Sequence, residues 1–446
     1  MKLTKKQLQK LDKRTTLLER NEIIHKLVQQ MKKTELFLEP LIQNDMNGWE
    51  MTKHQPHPLI FELGHITLFY MHHFLRHFTD FSIDDKIYQM FDSIQNTPNE
   101  RIQTQIIPFE DQYKLYNKVF NNIFDFNEKT CHFTNHMKYS LNLCILHNEM
   151  HNEVLLFLLD MLEYPNPVKL RENSILYNNN NDINNKFVYV EGGLYKQGLD
   201  VNDRVNVLDN EMPKHIVEIK SFYCNTYPTT NSEYIQFIED GGYTNTSFWS
   251  SDGKKWLKKE KANMPKFWLK KNKIYYRKHF DKQIPILNDE LKKPVVKINF
   301  YEAEAYAKYK KCRLPTESEY EYMCTNRGTT LYPWGNDSNV EKYSNVNYKQ
   351  SDVVPVDTYE CNKNIDGIIG LMGDCWYWTS TRFYPYDGYT IDPLYDTFSF
   401  PFFYFRTIVK GAAWTCGEQL VYPQYRNAQE PDKRFHYTGI RLIKDV

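Results

Sequence analysis

A change of period near the middle constrains this chain more than any other feature. Up to about Pro167, apolar residues recur at spacings of three and four: Leu8, Leu11, Thr15 and Leu18; Leu59, Leu63, Ile66, Tyr70 and Phe74; Cys144, His147, His151, Val154 and Leu158. That spacing gathers each set on one face of a helix. Gly48 and Gly64 are the only glycines in this part, and Pro40, Pro56, Pro58, Pro98 and Pro108 punctuate it. Long helices with short polar connections predict an antiparallel helical bundle over residues 1–168. Tyr177–Asn185 reads YNNNNDINN, polar and without period, so residues 169–186 read as a linker.

Beyond Lys186 the texture is different. Short β-type runs, FVYVEGG (187–193), KHIVEIKSFYC (214–224), PVVKINF (294–300), RTIVKGAAW (406–414) and YTGIRL (437–442), alternate with loops rich in Gly, Asn, Asp and Pro. One helix is predicted at Tyr301–Lys311, and another starts at Thr316, where Thr316 and Glu319 form a capping box. The lysine-rich runs 254–261 and 268–273 read as solvated loops. Residues 187–446 are therefore expected to form a loop-dominated α+β domain, giving a multi-domain chain of α plus α+β class.

Composition narrows the function by exclusion. Fifty-six basic and 56 acidic residues cancel, which gives no electrostatic reason to expect nucleic acid or an anionic membrane as partner. No apolar run approaches the roughly 20 residues needed to cross a bilayer. The opening MKLTKKQLQK lacks the apolar core of a secretory signal. Cys131, Cys144, Cys224, Cys312, Cys324, Cys361, Cys375 and Cys416 form no C-x-x-C pair. They read as reduced thiols of a cytoplasmic protein.

The sharpest chemical signal is HNEMHNE (147–153). His147 and His151, four apart, share the apolar stripe of their helix, with Asn148, Glu149 and Asn152 facing elsewhere. Two imidazoles on a buried stripe need partners for their nitrogens, and a metal ion satisfies both. A hydrogen-bonded pair of core histidines is the alternative. Glu153 lies about 200–240° round the helix, placed to cap or to orient a ligand rather than to bind. The third ligand candidate is His65, central in HPLIFELGHITLFYMHHFL (57–75), a segment apolar on nearly every side, whereas His72 and His73 lie nearer its end. Three neutral imidazoles leave about half an octahedral shell open, which suits an iron binding substrate and dioxygen together; zinc with a water is the competing occupant.

Five ordered segments of the second half, FVYVEGGLYKQG (187–198), PVVKINFYEAEAYAKYKKCRLPTESEYEY (294–322), YPWGND (332–337), GLMGDCWYWTST (370–381) and VKGAAWTC to TGIRL (409–442), resemble the formylglycine-generating-enzyme domain, a C-type-lectin-like fold. The first half resembles DinB-type four-helix bundles with a three-histidine metal site. A bundle followed by this domain is the layout of the ergothioneine and ovothiol sulfoxide synthases. That resemblance implies Fe(II) held by His65, His147 and His151, and dioxygen as co-substrate. It implies a small thiol and the imidazole of histidine or its betaine as the partners to be joined. Within PYDGY (385–389), Tyr386 corresponds to a catalytic proton donor and Tyr389 to a substrate contact.

The same resemblance carries substrate contacts over to Arg101, Met150 and Gln429, with departures at all three; Arg426 and Arg441, inside the motifs, each offer a guanidinium fork to a substrate carboxylate, a structural ion pair tying loops down being the alternative. Met150 stands where the ergothioneine-type enzymes have Gln, Arg101 is what remains of an arginine pair in NERIQTQ, and Ala428-Gln429 replace aromatic or Trp-Asp pairs. These changes spare the ligand positions and imply free cysteine or another small thiol rather than γ-glutamylcysteine. Cys416 matches one catalytic cysteine of formylglycine-generating enzymes, but Val421 stands at the second position, which disfavours copper-dithiolate chemistry. Two alternative functions stay open on the sequence: a DinB-type metal-dependent thiol S-transferase, and a non-catalytic lectin-like binding protein.

Overall fold

Helices follow the three- and four-residue spacing of the first part. The computed structural model describes residues 11, 13–43, 48, 57–82, 84–92, 107–168 and 183–446. The chain divides into two compact units. The first comprises Met1–Pro167 with Asp200–Met212 and Tyr389–Pro401; the second comprises Val168–Leu199, Pro213–Gly388 and Phe402–Val446. The boundary in texture near residue 186 thus marks a change of secondary structure, while two later segments belong with the helices. Of the linker, 169–182 lie outside the described residues.

In the first unit, α1 (Arg20–Gln43), α2 (Leu59–Tyr70), α3 (Asp85–Phe91), α4 (Phe109–Lys129) and α5 (Asn135–Met161) are the helical elements that matter here. α2 packs on α3, α4 and α5, and α1 packs on α5. Every residue of α2 except His65 is buried, as its all-round apolar sequence requires. It runs on into a one-turn π segment, Met71–Leu75, in which His72 and His73 are half-buried rather than at an exposed end.

Asn148, Glu149 and Asn152 do turn away from the histidine face of α5, yet that opposite face is buried too. A polar ladder satisfies the two asparagines, and Lys33 Nζ lies 3.7 Å from Glu149 Oε1. Asn148 Nδ2 donates to Thr34 Oγ1 (3.0 Å), Thr34 Oγ1 donates to Asn152 Oδ1 (2.9 Å), and Asn152 Nδ2 donates to Gln30 Oε1 (3.0 Å). The helix expected through Leu11, Thr15 and Leu18 is not formed over residues 14–19. Arg14 is drawn inward instead. Its guanidinium donates to Asp392 Oδ2 (2.8 Å) and Val207 O (2.9 Å), and lies 4.3 Å over the Tyr139 ring. A buried charge that finds a carboxylate outweighs a weak local periodicity.

The second unit is mixed α+β, with many short strands. β1 (Phe187–Val190) and β12 (Ile443–Asp445) flank β4 (Phe222–Asn225); β2 (Gly193–Gln197) pairs with β3 (His215–Ile219); β5 (Trp268–Lys271), β6 (Ile274–His279) and β7 (Lys282–Pro285) form a meander. β8 (Trp376–Arg382), β9 (Thr407–Lys410), β10 (Asn427–Gln429) and β11 (Thr438–Gly439) make a four-stranded sheet in the order β10-β9-β8-β11. Helices α8 (Phe300–Tyr309) and α9 (Glu317–Cys324) confirm the two helical signals, α9 starting from the Thr316–Glu319 capping box.

Three readings need correction. PVVKINF is not a strand: Val295 and Ile298 are buried, but Lys297 takes φ 61°, which breaks an extended run. Residues 254–261 lie largely in α7 (Ser251–Glu260), capped by Ser250, and residues 268–271 are β5. Helix α6 (Asn231–Glu239) has a capping box of its own, Thr230 with Glu233, which the reading passed over.

The aromatic residues are largely the core of this unit: Trp378, Trp414, Tyr320, Tyr377 and Tyr437 are fully buried. Arg441 lies among them, donating to Asn225 O (3.0 Å), Ile369 O (2.6 Å) and Gly370 O (3.1 Å), so it ties loops together. Burial also pushes the Asp374 carboxyl up to about 7, against hydrogen bonds donated by Asn345 Nδ2 (2.7 Å) and Val354 N (3.1 Å). The folded state then holds a proton that the unfolded chain releases near pH 3.9. Stability from this group is present below that pH and lost as pH rises through 7, by up to about 1.4 kcal/mol per pH unit. Urea unfolding between pH 5 and 7.5 should show this fall in the wild type, and a flatter profile in Asp374→Asn.

Candidate metal centre

Two helices supply three imidazoles to one place. His65 comes from the middle of α2, and His147 and His151 come from successive turns of α5; one ligand-capable atom of each lies within 4.8 Å of the other two. Ring centroids are 5.0 Å apart for His65 and His147, 4.7 Å for His65 and His151, and 4.3 Å for His147 and His151. His147 is 2% exposed and stacks on Phe69 at 3.6 Å and 9°. Burial, and then the His151 and His65 rings, push its pKa well below the usual range, so it is neutral at physiological pH. A neutral imidazole is the ligand form.

One nitrogen in each of two rings is already engaged. His65 Nδ1 lies 2.9 Å from Phe91 O, and His151 Nδ1 pairs with Glu62 Oε2. Both acceptors favour the tautomer with the proton on Nδ1, in which Nε2 carries the lone pair that a metal would take. Burial would raise the Glu62 carboxyl, but His151 and His57 beside it hold it well below the ordinary carboxylate range. The donor set therefore fits a divalent transition metal with three protein nitrogens.

Gly64 makes this geometry possible. A Cβ at that position would fall 2.2 Å from the Phe91 ring, so only glycine lets α3 approach and present the Phe91 carbonyl to His65. Gly64→Ala is expected to cost about 1–3 kcal/mol of stability through overpacking, read by urea unfolding, and to weaken metal binding by displacing that carbonyl.

The segment Tyr389–Pro401 brings Tyr395 edge-on to His147 (5.8 Å) and Phe69 (4.9 Å). Asp392 anchors this segment, accepting from Arg14 and from Tyr139 Oη; Asp209 anchors it again, accepting from Tyr389 Oη (2.7 Å).

The remaining expected site residues are placed as follows. Met150 is half-buried, one residue before His151 on α5, and Arg101 lies outside the described residues. Tyr386 and Arg426 meet in the second unit. Tyr386 Oη donates to Glu317 Oε1 (3.2 Å) and accepts from Gln197 Nε2 (3.0 Å), and the Arg426 guanidinium lies 4.0 Å over the Tyr386 ring. The fork of Arg426 is occupied by Glu317 (2.6 and 3.1 Å) and Tyr384 O (2.9 Å). Gln429, half-buried on β10, donates to Asn427 Oδ1 (3.2 Å). Glu62, His57, Phe91 and Tyr395 were missed. The signal for Glu62 was available: it is the only carboxylate in a helix that is otherwise apolar all round, three residues before His65.

Residues 174–446 match the family model of the sulfatase-modifying factor enzyme 1-like domain, which has a C-type-lectin-like fold. The chain is 33% identical over 316 residues to the hercynine oxygenase of Mycolicibacterium smegmatis, covering 68% of this chain and 71% of that protein. To the hercynine oxygenase of Mycobacterium tuberculosis it is 34% identical over 257 residues, 56% of this chain and 58% of the relative. The formylglycine-generating enzyme of Mycobacterium tuberculosis is more distant, 23% identical over 302 residues, 58% of this chain and 98% of the relative. The chain belongs to the hercynine oxygenase family.

Proposed function

We propose that this protein is a non-haem iron(II) sulfoxide synthase that joins the sulfur of a small, cysteine-like thiol to the imidazole carbon of histidine or its trimethylated betaine. The observation that carries the proposal is the convergence of His65, His147 and His151, two of them with Nδ1 already engaged. In the overall balance the S–H and ring C–H bonds break, the C–S and S–O bonds form, and the second oxygen atom leaves as water. Dioxygen accepts all four electrons. Iron(II) would supply a centre where thiolate and dioxygen bind together.

This chain's own residues do the rest. Phe69 and Tyr395 give His147 an apolar flank, and Glu62 with the Phe91 carbonyl orients the other two rings. Burial pushes the Tyr386 phenol well above its usual range, so it keeps its proton at neutral pH, the state its proposed role as proton donor needs. Met150, Tyr389, Gln429, Arg101 and Arg426 are the proposed substrate contacts. Arg426 would have to share its fork between Glu317 and a substrate carboxylate. No helix among the described residues is long and apolar enough to cross a membrane, and we place the reaction in the cytoplasm, where thiol substrates stay reduced.

The test is purification without oxygen, loading with Fe(II), and oxygen uptake with cysteine plus histidine or its betaine, with mass analysis of the product. Thiol-dependent uptake and a coupled sulfoxide are expected. Zinc in the native protein together with oxygen-independent thiol transfer would overturn the proposal.

A further inference from the structure

We infer that His57 is a positioning residue of the metal centre, acting on His151 through Glu62. The inference rests on the metal-centre reading above and assigns a function to a histidine outside the convergent set of His65, His147 and His151.

Glu62 sits in the first turn of α2 and is 1% exposed. Its two oxygens are divided between two histidines: Oε2 pairs with His151 Nδ1, and Oε1 lies 2.8 Å from His57 Nε2. Among the described residues, these two rings are its only ion-pair partners. A buried carboxylate with one oxygen held can still swing about its terminal torsion, which is broad for Glu. With both oxygens held, its plane is fixed, and so is the direction in which it accepts from His151 Nδ1. That direction sets the rotation of the His151 ring and hence where Nε2 points. Acceptance by a full carboxylate also makes the imidazole a stronger donor than a carbonyl partner would.

His57 is itself held. It is 6% exposed, packs on Phe61 with ring centroids 5.0 Å apart, and places Nδ1 3.3 Å from Pro58 O immediately before α2 begins. Pro58 fixes the backbone there and opens the helix. A rigid helix start therefore carries a ring whose outer nitrogen is presented to a carboxylate one turn further on. The result is a chain, His57 to Glu62 to His151, that reaches a proposed ligand from behind. A purely structural histidine at this position would need its own nitrogens satisfied, but would not need to share a carboxylate with the metal centre.

The experiment titrates the metal-free full-length protein with Co(II), following the visible ligand-field bands, for the wild type, His57→Ala, His57→Gln, Glu62→Gln, and His57→Ala combined with Glu62→Gln. His57→Ala is expected to weaken Co(II) binding about tenfold and to shift the bands, in the range outer-sphere changes cost. His57→Gln, whose amide can still donate to Glu62, should recover most of the affinity. In the Glu62→Gln background, His57→Ala should add little further loss, because the two act through one path. Circular dichroism of the metal-free variants identifies any that fail to fold, and His57→Gln then carries the comparison against Glu62→Gln. Wild-type affinity and bands in His57→Ala, or losses from the two sites that simply add, would overturn the inference while leaving the metal centre standing. Absence of Co(II) binding by the wild type would overturn the metal centre itself.

Discussion

Alanine in place of His147 is expected to leave a protein that retains no stoichiometric iron and shows no thiol-dependent oxygen uptake. The loss in metal affinity should exceed the roughly 10–100-fold that outer-sphere changes cost, because a donor atom itself is gone. His147 also stacks on Phe69 in the interior, so its removal opens a cavity expected to cost about 2–5 kcal/mol. His151→Ala removes a ligand whose side chain is 21% exposed, so little packing is lost, but it leaves the buried Glu62 carboxylate with His57 as its remaining ion-pair partner. Metal analysis should show the same metal loss in both variants, and unfolding should show both destabilised, His147→Ala through a cavity and His151→Ala through the partly unpaired carboxylate. Retention of full metal content by both would sink the three-histidine centre.

The second large effect lies in the other unit and concerns stability. Glu317 is 2% exposed, with Arg426 paired to both of its oxygens, Lys410 at 4.0 Å and the Tyr386 hydroxyl at 3.2 Å. Its pKa reflects a contest: burial alone would raise it, but Arg426 and Lys410 lower it below the ordinary value. Glu317→Ala leaves two buried cations facing one remaining carboxylate, Glu321, which lies 3.5 Å from Lys410. Breaking a buried pair this way costs about 3–5 kcal/mol. Urea unfolding should show a loss of that order, and Glu317→Gln a smaller one, because the amide still accepts from Arg426. A Glu317→Ala protein as stable as the wild type would mean that water reaches the cluster.

The sequence made some of this legible and hid the rest for physical reasons. The three- and four-residue periods of α2 and α5 are intrinsic to their own residues, so both helices and the shared face of His147 and His151 could be read directly. His65 could be nominated because it interrupts an apolar helix. Glu62 interrupts the same helix, and went unread because its value depends on two partners distant in sequence or across a proline. Arg14 shows the converse failure: local spacing favours a helix, but a carboxylate 378 residues further along overrides it. In the lysine-rich helix α7, charge masks the apolar side formed by Gly253, Trp256 and Leu257, which are buried. At Lys297 a positive φ ended a run that residue types alone would extend. Tyr386 was recognisable only by resemblance, since nothing local sets it apart from the other tyrosines of the chain.

The helical unit is assembled from three separate stretches of chain, the last ending at Pro401. A truncated protein stopping at residue 168 would carry every histidine of the centre yet lack Asp392 and Tyr395. Arg14 and Tyr139 would then bury polar groups with no acceptor, so such a fragment would be a poor surrogate for the intact molecule. The order of synthesis has the same consequence. At about 5–20 residues per second, the ribosome releases residue 395 roughly 10–50 s after residue 151, and until then the nascent helices cannot reach their final form.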